Sequence, residues 1–171
     1  MRGSLADGER TVWAARISSM TRRLLLTLLL LPAAFAANEE REVIATVERL
    51  FAGMAARDET AIRAVLTPEG KIYSMRANLP AAVTSHADFA SRIAAAKETL
   101  LERMWEPKVL LQDRLATLWA PYDFHRGGKL THCGVDSVTL IKTYEGWKIA
   151  GVFFTVVEAA KCAPSPLGPP A

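Results

Sequence analysis

The feature that most constrains this chain is a series of four β-rich runs in residues 108–157, separated by short turn signals. The runs are KVLLQ, LATLWAPYDFH, KLTHCGVDSVTLIK and WKIAGVFFTVV, and the turn dipeptides between them are Asp113-Arg114, Gly127-Gly128 and Glu145-Gly146. Runs of β-branched and aromatic residues between such turns are typical of adjacent antiparallel strands. The second half of the chain therefore predicts an antiparallel meander.

Three helical patterns precede the meander. The first begins at the N-cap residue Asn38, and its apolar positions recur at helical spacing: Val43, Val47, Leu50, Phe51 and Met54. The second runs from Glu59 to Leu66 and ends at a turn, residues 67–70, before the strand KIYSMR. The third follows the cap Ser85 and runs through HADFASRIAAAKETLLERMW, with this apolar stripe: Phe89, Ile93, Ala96, Leu100 and Met104. Helices followed by a meander predict an α+β fold, with the helices packed on one face of a curved antiparallel sheet.

Residues 20–36 have the pattern of a secretory signal peptide. Two arginines follow Met20, a leucine-rich run comes next, and Ala34-Phe35-Ala36 provides a small-residue cleavage site before Ala37. The apolar run is shorter than the roughly 20 residues that a spanning helix requires. We therefore predict a periplasmic or secreted protein that has no membrane association after cleavage.

The signal peptide sets the expected domain boundaries. Residues 1–19 precede a methionine that begins a complete signal by itself, which indicates an over-long N-terminus. We divide the chain into the signal segment 1–36, an α+β domain over 37–160 and a proline-rich tail over 161–171 that we expect to be disordered.

The net positive charge of the chain belongs to the export segment. The sequence has 21 Lys and Arg against 18 Asp and Glu, and residues 1–36 contain five of the basic and two of the acidic residues, which leaves 16 of each. A mature domain without net charge lacks the basic surface that nucleic acids and anionic membranes attract. We predict no nucleic-acid partner.

Strand alternation predicts which side chains share a face. If Gly127-Gly128 is a two-residue turn, Asp123 lies opposite His132, and Trp119 lies opposite Asp136. If Glu145-Gly146 is a turn of the same kind, Asp136 neighbours Thr155. One face then collects the candidate pocket residues: Trp119, Asp123, His125, His132, Asp136, Trp147 and Thr155. We interpret it as the face covered by helices, with the acids and histidines at the edge of a cavity, although a bulge would exchange the faces.

Asp123 and His132 are the candidate catalytic residues. An imidazole beside a carboxylate and shielded from water is suited to proton transfer, because the carboxylate fixes the tautomer and raises the pKa of the histidine. The same pair is suited to orienting a ligand, or to a structural role in which the two groups only satisfy one another. The sequence leaves these three roles open. The spacing of Asp123, His125 and His132 matches no standard zinc motif, and we predict no metal and no organic cofactor.

The two cysteines are 29 positions apart, and strand register argues against a bridge between them. Cys133 alternates away from the predicted pocket, which also makes it a poor nucleophile. In a regular hairpin Cys162 falls level with Lys129, four residues from Cys133 or roughly 13 Å along the strand, and a disulfide requires Cα atoms within about 7 Å. An irregularity after Val157 would bring the two cysteines together, so the sequence leaves their pairing open.

The string LWAPYDFHRGGKLTHCGVDSVTLIKTYEGWKIAGVFFT, together with the order of helices and strands, resembles the nuclear-transport-factor-2-like superfamily. The resemblance covers roughly residues 39–157 and is to the SnoaL-like and lumazine-binding-like branch found in exported bacterial proteins. It implies a cone-shaped α+β fold in which a curved sheet wraps a long helix and encloses a pocket. Relatives include ketosteroid isomerases, dehydratases, epoxide hydrolases, polyketide cyclases and non-catalytic binding or dimerisation domains. None of their catalytic motifs matches here residue by residue, so the resemblance implies no role for any single residue.

Two functions from different classes follow from the sequence, with an interaction module as a third. The first is an exported domain that binds a small molecule and has no established reaction. The alternative is a cofactor-independent isomerase, dehydratase or hydrolase that uses the pair Asp123 and His132. In the third, the outer face of the sheet pairs in a homodimer.

Overall fold

The structure, a computed structural model, describes residues 37–170, and the predicted signal peptide lies outside this range. Helix α1 covers residues 37–56 of the described chain, α2 covers Glu59–Val65 and α3 covers His86–Ala94. Of the described residues, those from Glu40 onward form one compact unit, to which the following description applies. Among residues 37–170, no helix is both long and apolar enough to span a membrane.

Seven strands of the described chain form one curved, open sheet. They are β1 (Leu66–Arg76), β2 (Ala82–Ser85), β3 (Leu100–Met104), β4 (Lys108–Gln112), β5 (Leu115–Arg126), β6 (Lys129–Thr143) and β7 (Gly146–Glu158). Their order is β2-β1-β7-β6-β5-β3, and β4 pairs with β5 on the same edge as β3, nearer the start of β5. The predicted α+β class is confirmed. The sheet is mixed rather than purely antiparallel, because β1 runs parallel to β7.

The third helix is shorter than the sequence predicts. It ends at Ala94, and Leu100–Met104, which we expected on its apolar stripe, form strand β3. The residues from Leu100 to Met104 pair with Arg126 to Tyr122 of β5. Leu100 and Met104 fit both the helical and the strand pattern, and tertiary pairing with β5 decides between them.

Two bulges change the registers that we predicted. The ladder between β5 and β6 shifts between Phe124 and His125, so that Phe124, not Asp123, pairs with His132. Asp136 accordingly lies opposite Ala120 rather than Trp119. The turn between β6 and β7 is formed by Tyr144 and Glu145, not by the predicted Glu145 and Gly146. The ladder also shifts between Thr139 and Leu140, and the two changes together pair Asp136 with Phe154, not with Thr155. Each bulge adds one residue to one strand and exchanges the faces beyond it.

The core lies between the helices and the concave face of the sheet. Helix α1 contributes Val43, Val47, Leu50 and Met54, all nearly inaccessible to solvent. The sheet contributes alternate residues of β5, β6 and β7, including Leu118, Leu140 and Ile149. The amphipathic pattern of α1 therefore predicts its buried face correctly.

A disulfide joins Cys133 of β6 to Cys162, with the Cα atoms 5.9 Å apart. The register argument against this pair is wrong, because β7 does not continue to Cys162. A short 3-10 helix, Ala159–Lys161, turns the chain back, and Cys162 returns to the level of Cys133. Residues 163–170 follow without helix or strand and line a depression on the outer face together with Trp105 and His125. Their expected disorder stays a prediction.

Candidate functional site

A cavity of about 160 Å³ lies between α1, α3 and the concave face of the sheet. Its wall is mostly apolar, and five of the residues that line it are aromatic: Phe51, Phe89, Tyr122, Phe124 and Phe154. Leu50 and Met54 of α1 and Ile93 of α3 also contact the space. The same helical periodicity that builds the core thus supplies one side of the cavity.

Two carboxyl groups, those of Glu102 and Asp136, line this cavity and are hydrogen-bonded to each other. Glu102 comes from β3, and Asp136 comes from β6, on the other side of β5. Asp136 is 2% exposed, and its Oδ2 atom has no hydrogen-bond partner among the described residues. Burying a carboxyl oxygen that has no hydrogen-bond partner is costly. The two acids are therefore the polar centre of the cavity.

Burial changes the protonation of this pair. It raises the pKa of Asp136 to about 7, although the hydrogen bond with Glu102 acts in the opposite direction. Burial also raises the pKa of Glu102 well above its ordinary value, and the charge and hydrogen bond of Asp136 raise it further. Two adjacent acids titrate as a unit. Near neutral pH the pair therefore keeps at least one proton, so it offers both a donor and an acceptor.

His132 also lines the cavity, where its imidazole packs among aromatic rings. Its ring centroid lies 5.1 Å from that of Phe124, 5.8 Å from that of Tyr122 and 6.4 Å from that of Phe154. Burial lowers the pKa of His132, and the positive charges of Arg76 and Arg126 lower it further. The imidazole is therefore neutral at neutral pH and provides a hydrogen-bond acceptor.

Tyr122 lines the cavity with its ring, while its hydroxyl is engaged elsewhere. The hydroxyl donates a hydrogen bond to the carbonyl oxygen of Thr155, at 2.8 Å. Tyr122 lies opposite Gly134, where an added Cβ would come within 2.1 Å of that carbonyl oxygen. A glycine in the middle of β6 thus lets β7 approach closely enough to accept from a tyrosine on β5.

Asp123 and His125 lie on the opposite face of the sheet from His132, so the predicted pair of Asp123 and His132 is wrong. Arg103 donates two hydrogen bonds to the carboxylate of Asp123, at 2.9 and 2.6 Å. Burial acts to raise the pKa of Asp123, but the hydrogen bonds and charge of Arg103 outweigh it and hold the pKa below its usual range. The Nε2 atom of His125 lies 3.3 Å from Asp123 Oδ1. The bulge at the start of β6 explains the error, since it exchanges the faces of β5 relative to β6.

The remaining predicted residues are placed as follows. Asp136 lines the cavity. Trp119 is 52% exposed on the outer face, and Thr155 is also exposed there. Trp147 is buried in the core but lines a separate depression beside α1 and α2. Of the seven predicted residues, the structure brings only His132 and Asp136 to the cavity.

Glu102 is the acidic residue of the cavity that the sequence analysis missed. It fell inside the predicted third helix, where a glutamate among apolar residues is an ordinary solvent-facing position. The available signal was the strand alternation of Leu100, Glu102 and Met104, which places all three side chains on one face.

The described residues contain no group of three or more His, Cys, Asp and Glu side chains arranged to hold a metal ion. The polar groups that line the cavity include the carboxyl pair and the imidazole. These groups can donate to, accept from and exchange protons with a molecule in the cavity.

Several solved structures resemble this chain closely in fold and distantly in sequence. A Novosphingobium aromaticivorans protein, described as nuclear-transport-factor-2-like with a cystatin-like fold, matches with a TM-score of 0.59 and 15% identity, over 92% of this chain and 95% of its own. A Kribbella flavida protein matches with a TM-score of 0.61 and 18% identity, over 71% and 92%. A candidate dehydratase of the nuclear-transport-factor-2-like family from Streptomyces avermitilis matches with a TM-score of 0.57 and 16% identity, over 70% and 96%.

No family model and no curated protein matches the sequence. Identities below a fifth carry the fold and leave the activity open. The resemblance that the strand sequence indicated is thus confirmed at the level of architecture. The chain has the nuclear-transport-factor-2-like fold.

Proposed function

We propose that this protein is an exported domain that binds a small molecule in the cavity between α1, α3 and the sheet. The observation that carries the proposal is the pair of carboxyl groups from the buried Asp136 and the half-buried Glu102 in an otherwise apolar space. Pockets with apolar walls and a few polar groups are typical of ligand sites, in which the polar groups fix the orientation of the ligand. A domain selected only for stability gains nothing from a buried carboxyl oxygen that has no hydrogen-bond partner.

The cavity volume limits the size of the ligand. About 160 Å³ is close to the roughly 150 Å³ that accommodates a benzene ring in an engineered cavity. We therefore expect a compact molecule with an apolar body about the size of one six-membered ring and a single polar group. The polar group contacts the carboxyl pair, and the body contacts the aromatic wall.

Binding of simple probes tests the proposal. Toluene and benzyl alcohol should each raise the melting temperature of the wild-type protein, and isothermal titration should give saturable binding. Ile93→Phe, which adds volume inside the cavity, should weaken both effects, whereas Ile141→Phe on the outer face should not. If neither probe binds the wild-type protein, the cavity is not a ligand site. Native mass spectrometry of protein from its own host would show whether a natural ligand co-purifies.

Acid-base catalysis is the second candidate function, and the protonation of the carboxyl pair favours it. A pair that holds one proton near neutral pH can donate at one oxygen and accept at another, as a cofactor-independent isomerase, dehydratase or hydrolase requires. In this proposal Glu102 and Asp136 take the roles that the sequence assigned to Asp123 and His132. One solved neighbour, from Streptomyces avermitilis, is described as a candidate dehydratase.

Elimination of benzisoxazole tests the second candidate without knowledge of the natural substrate. A carboxylate in an apolar cavity removes the proton from carbon 3, the N–O bond breaks, and 2-cyanophenol forms. The rate should rise with pH as Asp136 ionises, and Asp136→Asn should remove most of the acceleration. A rate equal to that of buffer, or one that Asp136→Asn leaves unchanged, would argue for binding without catalysis.

We also propose that the mature protein begins at Ala37 and resides in the periplasm or outside the cell. The signal pattern of residues 20–36 and the disulfide between Cys133 and Cys162 support this, because disulfides persist in oxidising compartments. Expression of the full chain in a bacterial host should give an exported product whose intact mass starts at Ala37. A cytoplasmic product that retains residues 20–36 would contradict the proposal.

A further inference from the structure

Two acidic side chains and no basic one line the cavity in the described part of the chain. Among the described residues that line it, the ionisable side chains are Glu102, Asp136, His132 and Tyr122, and none is a lysine or an arginine. The hydroxyl of Tyr122 donates to the Thr155 carbonyl and remains protonated, because burial raises its pKa. The helices add only apolar lining residues. An anionic ligand would therefore meet acids and no counter-charge.

The same sheet shows how a buried acid is stabilised when it has only a structural role. Asp123 is 3% exposed, about as buried as Asp136, and the guanidinium of Arg103 holds both of its oxygens. Asp136 has the hydrogen bond with Glu102, and its Oδ2 atom has no partner among the described residues. Asp136 lines the cavity, and no arginine or lysine is among the described residues that line it.

The aromatic wall adds a second attraction for a positive charge. Five aromatic rings line the cavity, and the face of such a ring attracts a cation, most strongly away from water. His132 adds an imidazole acceptor. A primary ammonium has three N–H donors, and Glu102, Asp136 and His132 are three side chains with acceptor atoms.

We propose that the cavity binds a small primary or secondary amine as its ammonium ion, with the charge on the Glu102 and Asp136 carboxyl groups and the apolar body among the aromatic rings. This inference rests on the proposed binding function and specifies the class of ligand. It follows from the geometry of an acid pair that lacks a counter-ion inside an aromatic cavity.

Proton exchange accompanies this mode of binding. Near neutral pH the empty pair retains at least one proton, which the ammonium displaces as it forms hydrogen bonds to the ionised carboxylates. Amine binding should therefore release protons and should strengthen as pH rises from about 6 to about 8. Other charges that act on this region are Asp123 on Glu102, Arg76 on His132 and Tyr122, and Arg126 on His132, and none of the three lines the cavity.

Three probes of similar size test the inference: benzylamine, benzyl alcohol and toluene. Isothermal titration of the wild-type protein at neutral pH should give at least a tenfold lower Kd for benzylamine than for benzyl alcohol. Titrations in two buffers of different ionisation enthalpy should show proton release for benzylamine and none for toluene. Asp136→Asn should remove the preference for the amine and keep the binding of benzyl alcohol.

The outcomes separate this inference from the binding function on which it rests. If benzyl alcohol or toluene binds at least as tightly as benzylamine, the amine inference is wrong and the binding function stands. If none of the three binds, the binding function fails and the inference fails with it. Glu102→Gln provides a second variant in case Asp136→Asn does not fold, and Glu106→Gln, an exposed acid nearby in sequence, is the matched control.

Discussion

Asp136 makes the folded protein sensitive to pH in a direction opposite to that of most acids. Its folded-state pKa is about 7, whereas an unfolded aspartate titrates near 4. A raised pKa means that the folded state binds the proton more tightly. The stability that Asp136 contributes is therefore fully present below about pH 4 and is lost as pH rises through about 7. The pKa of Asp123 is lowered in the folded state, so the stability that Asp123 contributes is lost as pH falls through that lowered pKa.

Replacement of Asp136 by asparagine should reverse this dependence. The amide keeps the shape of the side chain and cannot ionise, so Asp136→Asn should be more stable than the wild type at about pH 8, by roughly 2 to 4 kcal/mol. At about pH 5 the two proteins should differ little. Urea denaturation at both pH values measures the difference. A variant that loses stability equally at both would show that the acid has a structural role.

Gly134 is a position in the sheet at which the backbone of a neighbouring strand leaves no room for a side chain. A Cβ there would lie 2.1 Å from the Thr155 carbonyl oxygen and would displace the acceptor of the Tyr122 hydroxyl. We expect Gly134→Ala to destabilise the fold by about 2 kcal/mol or more. Gly151→Ala, also in the sheet, places its Cβ no closer than 3.4 Å to Phe153 and is the matched control. Thermal unfolding of both variants checks the expectation, which equal losses would contradict.

At the scale of elements, the sequence predicts strands more reliably than their registers. The four β-rich runs correspond closely to β4, β5, β6 and β7, because turn dipeptides and alternation bound them on both sides. Register depends on single inserted residues, and the bulge between β5 and β6 has no glycine or proline at its shift. The bulge between β6 and β7 lies beside Gly151, which is typical of a bulge but does not fix its position. One such residue moved Asp123 to the outer face. Only two of the predicted pocket residues, His132 and Asp136, line the cavity. Both lie on β6, where alternation within one strand is enough to place them on the same face.

Strand β3 is a second feature that local sequence patterns did not predict. The stretch that contains Leu100, Glu102 and Met104 has helix-forming residues and apolar positions four apart, yet it pairs with β5. Its conformation is decided by partner residues 18 to 26 positions away in sequence, which no local pattern contains. Glu102, half of the carboxyl pair, was missed for this reason.

The disulfide joins two elements, β6 and the segment after the 3-10 helix, across a sequence separation of 29 residues. Closing a loop of this length stabilises a fold by about 3 to 4 kcal/mol through the entropy of the unfolded chain. Reduction of the wild type should lower the free energy of unfolding by about that amount. The double variant Cys133→Ser with Cys162→Ser should start at the lower stability and should not respond to reductant. An oxidised and a reduced wild type of equal stability would contradict the expectation.

At the scale of the whole molecule, the outer face of the sheet carries a transverse row of apolar side chains. The registers align Trp119, Phe153, Tyr73 and Val83 across the sheet, with Ser137 between the first two. The rings of Tyr73 and Phe153 stack at 4.7 Å, and Trp119, Phe153 and Val83 are 52%, 39% and 51% exposed. Apolar surface arranged in this way is typical of a contact with another protein.

We expect this row to pair with the same row of a second copy, which gives the homodimer. Sedimentation should show a concentration-dependent dimer, and Phe153→Asp should shift it towards monomer because the charge would be buried in the contact. Tyr144→Asp, at a fully exposed turn residue, is the matched control and should leave the association unchanged. A wild-type protein that stays monomeric at every concentration tested would argue against the dimer.

The bridge between Cys133 and Cys162 also determines how the molecule bears mechanical load. A force applied to the C-terminus enters the sheet at Cys133, within β6, instead of at the end of β7. The segment between the cysteines, whose sequence separation is 29, cannot extend, which removes roughly 100 Å of contour length at about 3.5 Å per residue. Pulling on the oxidised protein therefore loads β6 against β5 directly, whereas the reduced protein peels β7 away first. In a single-molecule trace, the redox state would set the length of the extension.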